Sequence, residues 1–163
     1  MAYTYGLTKI EIADILGDGG PGTSFTQIGY TNPGTTKFTT DAGTANEKFC
    51  EELTSALVSI AGTETIKLEF QLIVSDVNTL PKVLGGTVDG LVWSRPATKP
   101  TLEYTFKVTP LSGSVWQINR GSVVGSLNGT LARESDLFYV DVSVTILTPT
   151  KEGVVSLTAT DSA

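Results

Sequence analysis

The sequence predicts a mainly β fold: an antiparallel β-sandwich or barrel with one short flanking α-helix and a long loop excursion. Three observations carry this expectation. Apolar and polar residues alternate with a period of two over three long stretches, the pattern of a strand with one buried face. The 17 Gly and 7 Pro, with Thr recurring throughout, favour strands and turns over helices. The 163 residues suit one domain at roughly 100–200 residues each. A chain of that size can bury about two-thirds of its unfolded surface without staples. No internal repeat or low-complexity linker divides it, so one domain over 1–163 is expected.

The elements follow in chain order. Leu7 to Ala13 reads as a strand carrying Ile10 and Ile12. Ser24 to Tyr30 and Thr35 to Thr40 are short, Thr-rich strands. Thr44 to Ile60 has two readings. Thr44 and Glu47 have capping-box spacing, and Phe49, Leu53, Leu57 and Ile60 recur at helical spacing. The same stretch also suits a strand followed by a long excursion. Thr65 to Val74 is a clear strand, with Ile66, Leu68, Phe70 and Leu72 facing inward. Ser75-Asp76 then caps a short helix running to Leu84. Pro81 places the helix proper late, near Asn78 or Thr79, so that the proline falls in its first turn. Gly85 stops it.

Leu91 to Ser94 and Ser114 to Arg120 read as strands holding Trp93 and Trp116. Thr101 to Thr109 alternates, with Leu102, Tyr104, Phe106 and Val108 inward and Glu103, Thr105 and Lys107 outward. Gly121 to Arg133 suggests a hairpin turned by a positive-φ Asn128-Gly129 pair, with Leu127 and Leu131 on its flanks. Leu137 to Leu147 alternates again, with Phe138, Val140, Val142, Val144 and Ile146 on one face. Gly153 to Ala159 is expected to close the sheet.

Composition narrows the chemistry. Lys+Arg is 11 and Asp+Glu is 17, a net charge of −6 with no His. Gripping nucleic acid relies on Lys and Arg against phosphates, so DNA binding is not expected. The single Cys50 forms no internal disulfide, which points to a reducing compartment and a free thiol without a catalytic part. With no His and one Cys, Ser–His and Cys–His nucleophiles are excluded and a zinc centre is not expected. Glu51, Glu52 and Asp76 lack Ca-loop spacing. Gly17 to Ser24 resembles a phosphate-cradling loop in spacing, but Thr23 stands where the lysine belongs, so a surface loop is expected. Asn128-Gly129-Thr130 matches a glycosylation acceptor, yet the turn reading is preferred. Trp93 and Trp116 read as core or interface aromatics, and Arg120 and Arg133 as solvated or paired across subunits. No catalytic residue, cofactor or metal is expected. No apolar run approaches the roughly 20 residues of a spanning helix, and the start has no basic stretch before an apolar core, so neither membrane nor Sec-type export is expected.

From about Ile66 to Ile146 the layout resembles the tail tube proteins of tailed bacteriophages and related contractile injection systems. The strong strand Thr65 to Val74 leads into Ser75-Asp76-Val77-Asn78-Thr79-Leu80-Pro81-Lys82-Val83-Leu84-Gly85-Gly86. That polar cap, short helix and Gly-Gly stop look like the helix flanking the tube barrel. Phe138 to Ile146 looks like the late strand of that barrel. The resemblance implies a structural subunit of a virion tail, made in the bacterial cytoplasm and assembled into stacked, usually hexameric rings. Its partners would be copies of itself, with a tape-measure protein, tail terminator and sheath as further ones. Viral DNA would pass through without specific binding. The excursion from Thr31 to Thr63 sits where the family carries a loop that reaches the next ring. Its apolar residues Phe38, Phe49, Leu53 and Leu57 are therefore the candidate self-association site. Two other classes share the composition: another virion β-protein, such as a decoration protein or tail terminator, and a carbohydrate- or protein-binding β-sandwich.

Overall fold

The computed structural model describes residues 3–131, 133 and 137–161. The elements are β1 (Lys9–Asp14), β2 (Thr26–Gln27), β3 (Tyr30–Thr31), β4 (Lys37–Asp41), β5 (Asn46–Lys48), β6 (Val58–Ile60) and β7 (Thr65–Ile73). A 3₁₀ turn (Val77–Thr79) and α1 (Leu80–Leu84) follow. Then come β8 (Thr87–Asp89), β9 (Val92–Ser94), β10 (Leu102–Thr109), β11 (Ser114–Leu127), β12 (Tyr139–Ile146) and β13 (Leu157–Asp161). One nine-stranded sheet dominates, in the order β2-β1-β10-β11-β12-β7-β3, with β4 also on β7 and β13 also on β11. Every strand pair in it is antiparallel.

The sheet curls towards a barrel because β2 and β3 hold opposite ends of that order yet are nearly consecutive in sequence. Gln27 pairs with Glu11 of β1, and Tyr30 pairs with Ile73 of β7. The stretch expected as one strand over Ser24 to Tyr30 is thus two short pairings on two edges. Gly29 makes the crossing at φ +145°, where a Cβ would also press on Leu72 Cδ1 at 3.0 Å. Ile28 lies fully buried at the same crossing. Curvature shows again where Phe38 of β4 meets Trp116 of β11, ring centroids 5.7 Å apart. Two strands separate them, so a flat sheet would hold them roughly 14 Å apart.

The inward faces fill this curl. Leu68, Phe70 and Leu72 of β7 meet Val140, Val142 and Val144 of β12, with Phe106 and Ile118 across from them. The alternation expected for β7 and β12 holds from Lys67 to Ile73 and from Tyr139 to Thr145, while Ile66 and Ile146 at the ends are only half-buried. In β10 it breaks. The register shifts between Tyr104 and Phe106, setting two residues of β11 against Thr105. Thr105, expected outward, is nevertheless buried, because the turn that carries Gly22 lies over it. Its hydroxyl accepts from the Gly22 N–H at 2.8 Å and donates to the Asn119 carbonyl at 3.1 Å. Tyr104 sits half-buried at the rim instead of in the core.

The helix is close to its sequence reading. The Asp76 carboxylate accepts from the Asn78 N–H and starts the 3₁₀ turn. Pro81 falls in the first turn of α1, which begins at Leu80 and stops at Gly85, whose N–H donates to the Pro81 carbonyl. Leu80 and Val83 plug the barrel end.

Two expectations fail. The Asn128-Gly129 pair has no positive φ. β11 instead runs straight on to Leu127 and pairs with β12, because Gly121 to Leu127 finds a full partner there; residue 132 of that hairpin lies outside the described residues. The closing strand begins at Leu157, not Gly153, and β13 pairs with the first half of β11 without sealing the sheet. Since β10 occupies the other side of β11, β12 and β13 share one side end to end. Of the two readings of Thr44 to Ile60, helix is not the one formed: the stretch holds two short strands, β5 and β6.

Candidate functional site

The excursion resolves into two parts. Its first part belongs to the barrel. Thr31 pairs with Leu72, and β4 pairs along β7 from Lys37–Glu69 to Asp41–Thr65. Phe38 is thus held against Trp116 of its own chain and keeps 40% exposure. The expectation that all of Thr31 to Thr63 stands off the core is corrected here, for Phe38 included, because β7 offers Thr31 and Lys37 to Asp41 an open edge.

The second part, residues 42–64, is an arm. Asn46 lies opposite Ile60 and Lys48 opposite Val58. That register continues β4–β7 without a slip, so β4-β5 and β6-β7 form one long ribbon. The Leu57 N–H donates to the Lys48 carbonyl at 2.7 Å, so Leu57 and Val58 both stand against Lys48 where the pairing ends. At the root, Gly43 has φ +69°, and a Cβ on it would stand 2.5 Å from the Thr63 carbonyl oxygen. The backbones therefore close up where the ribbon leaves the barrel. From that root to Phe49 is about seven residues, roughly 23 Å at 3.3 Å each.

Every residue of β5 and β6 is exposed. Phe49 is 63% exposed, Leu57 61% and Leu53 49%. Val58 and Ile60 are exposed beside them and were absent from the sequence-derived set. Their i, i+2 spacing was the signal, hidden by the helical spacing of Leu53, Leu57 and Ile60. Glu51 and Glu52 flank the apolar tip, and Cys50 is a free, half-buried thiol there. Clustered exposed apolar side chains of this kind mark an interaction surface.

Elsewhere polar groups serve structure. Arg120 forks onto Glu103 with two 3.0 Å hydrogen bonds and donates to the Thr148 carbonyl. It is paired within its own chain, not across subunits, and the Glu103 carboxylate holds its pKa above the ordinary value. The Gly17 to Ser24 run is a surface turn with no helix after it. Asp18 accepts from the Gly20 N–H and from Lys151 Nζ at 2.8 Å, and these bonds hold its carboxyl below the usual range. Burial raises the Tyr104 phenol. Trp93 donates its indole N–H to the Gly85 carbonyl at 2.9 Å and packs on the core. Arg133 is exposed. Among the described residues, no three His, Cys, Asp or Glu stand together as metal ligands, and no helix is long and apolar enough to cross a membrane.

No protein-family model matches the chain, and no curated protein matches it.

Proposed function

We propose that this protein is a structural subunit of a phage tail tube, which assembles with copies of itself into stacked rings around a channel that passes DNA. One observation carries the reading: a ribbon arm with five exposed apolar side chains projects from a barrel that already has its own core. Such an arm gains burial only against another molecule. A contact between an arm and a different surface on a like copy is heterologous, and heterologous contacts propagate into rings and filaments. Among the described residues, β4 and β13 each pair on one side only. Open edges of that kind suit strand pairing between neighbours in a ring. The net charge of −6 keeps a tube wall from adhering to phosphates.

Negative-stain electron microscopy of the purified chain tests this. Long hollow tubes of uniform diameter are expected. Replacing residues 43–63 by a two-residue turn should keep the circular dichroism of the barrel and abolish the tubes. Wild-type protein that remains monomeric at high concentration, or an arm-less variant that still forms tubes, would overturn the reading.

A further inference from the structure

We infer that the arm tip seats in the groove between α1, β9 and the end of β11 on the next copy. The inference rests on the assembly reading above and names the surface that receives the arm. The groove has a volume of about 750 Å³. Leu84, Trp93 and Leu127 give it apolar patches in a largely polar lining that includes Arg95, Lys99, Ser126 and Asn128. Both cations are exposed and carry no ion pair among the described residues.

Three features match tip to groove. The first is charge. In a chain with 17 acidic and 11 basic side chains, two unpaired cations line one groove. The tip brings Glu51-Glu52 between Phe49 and Leu53. Opposite charges at the rim of an apolar contact fix its register and suppress wrong partners. The second is position. The arm leaves the sheet where β7 begins, at Thr65. The groove lies at the other end of the same sheet, since Leu127 pairs with Val140, which pairs with Leu72. These two ends are about seven strand residues apart, roughly 23 Å. The arm points away from its own groove, so only another copy can fill it. The third is propagation. Each chain carries one arm at one end and one groove at the other, which gives a head-to-tail stack.

The rival cavity is the mouth lined by Tyr5, Phe38 and Trp116, about 530 Å³. Its cation, Lys37, already faces Glu69 at 3.6 Å, so it complements the acidic tip less well.

Cys50 makes the test specific, since the chain has no other thiol. An Ala97→Cys change places one thiol in the groove, at an exposed residue. Mild oxidation should then give a ladder of covalent trimers and larger species. Wild type should stop at dimers, and Cys50→Ser/Ala97→Cys should stop at dimers too. A ladder from Pro33→Cys, in the rival mouth, with none from Ala97→Cys would overturn the inference, as would no ladder from either. A charge-swap series gives a second readout. Glu51→Lys/Glu52→Lys should raise the concentration needed for assembly at least tenfold, and adding Arg95→Glu/Lys99→Glu should recover most of that loss. No recovery would count against the pairing. The two readings fail separately: wild type that makes no tubes sinks the tail-tube proposal, while the ladder still reports arm against groove in short oligomers. Tubes without a Cys50 link to position 97 sink the groove and leave the tube.

Discussion

The barrel and the arm are both antiparallel β-structure, both carry apolar side chains, and β7 runs directly from one into the other. They differ in what covers those side chains. Along β7, Leu68, Phe70 and Leu72 all fall on one face and are buried by β12, β10 and β11 of the same chain. Along the arm, Val58 and Ile60 fall on one face, Phe49, Leu53 and Leu57 lie towards the tip, and all are exposed. Its own chain leaves these side chains uncovered. Strict alternation in sequence thus marks burial within the chain, and the apolar residues of the arm that break it stay exposed.

The largest effect that would break this comparison is a matched pair of truncations. Phe70→Ala should cost about 3–5 kcal/mol of folding stability. Phe49→Ala should cost under about 0.5 kcal/mol, the level of an exposed site, and should weaken assembly. Urea unfolding of the two variants, read by tryptophan fluorescence, checks both numbers. Equal costs would place Phe49 in the core and erase the distinction.

The next effect sharpens the barrel side. Thr105→Val keeps the shape but removes the hydroxyl that the Gly22 N–H and the Asn119 carbonyl share. Leaving a buried donor unpaired costs about 1–3 kcal/mol, so the melting temperature should fall by several degrees while assembly at low temperature survives. A smaller loss, about 1 kcal/mol, is expected for Asp76→Ala, which removes the cap of the 3₁₀ turn before α1. Thermal melts that are unchanged in both variants would show that these polar contacts are dispensable.

The smallest effect is electrostatic. Lys151 and the Gly20 N–H lower the Asp18 pKa from 3.8. A carboxyl with a depressed folded pKa adds stability that is complete above its unfolded pKa and lost as pH falls through the folded value. The contribution should therefore be present at neutral pH and fade below about pH 4. Both partners are exposed, so it stays small. Asp18→Asn should lower the neutral plateau slightly and converge with wild type below the folded pKa, which flattens the acid limb. An equal loss at pH 3 and pH 7 would mean that the turn, not the charge, matters.

The legible parts of the fold were those fixed by local chemistry. The β7 and β12 faces could be read because a period of two survives wherever one face is buried. The helix could be read because Asp76, Pro81 and Gly85 each restrict the backbone on their own. The misread parts depend on partners distant in sequence. Thr105 is buried because the distant turn that carries Gly22 folds over it, which nothing near Thr105 announces. Gly29 marks a crossing between two edges, yet an isolated Gly in a Thr-rich strand looks like a weak strand. Phe38 joined the arm residues by sequence proximity, although Trp116 claims it. In the arm, Leu53, Leu57 and Ile60 happen to match helical spacing, which hid the pairing of Val58 with Lys48. Phe49, Leu53 and Leu57 could still be picked out, because apolar residues in a long polar, Gly-rich stretch invite an external partner.

Hydrogen–deuterium exchange, in dilute monomer and in the assembled state, tests the central claim most directly. The barrel amides of β7, β10, β11 and β12 should be protected in both states. The arm amides over 46–60 should exchange rapidly in the monomer and become protected on assembly, with new protection also around Trp93, Arg95 and Leu127. Arm amides that are equally slow in dilute monomer, or equally fast in the assembly, would contradict an arm that completes its burial on another copy.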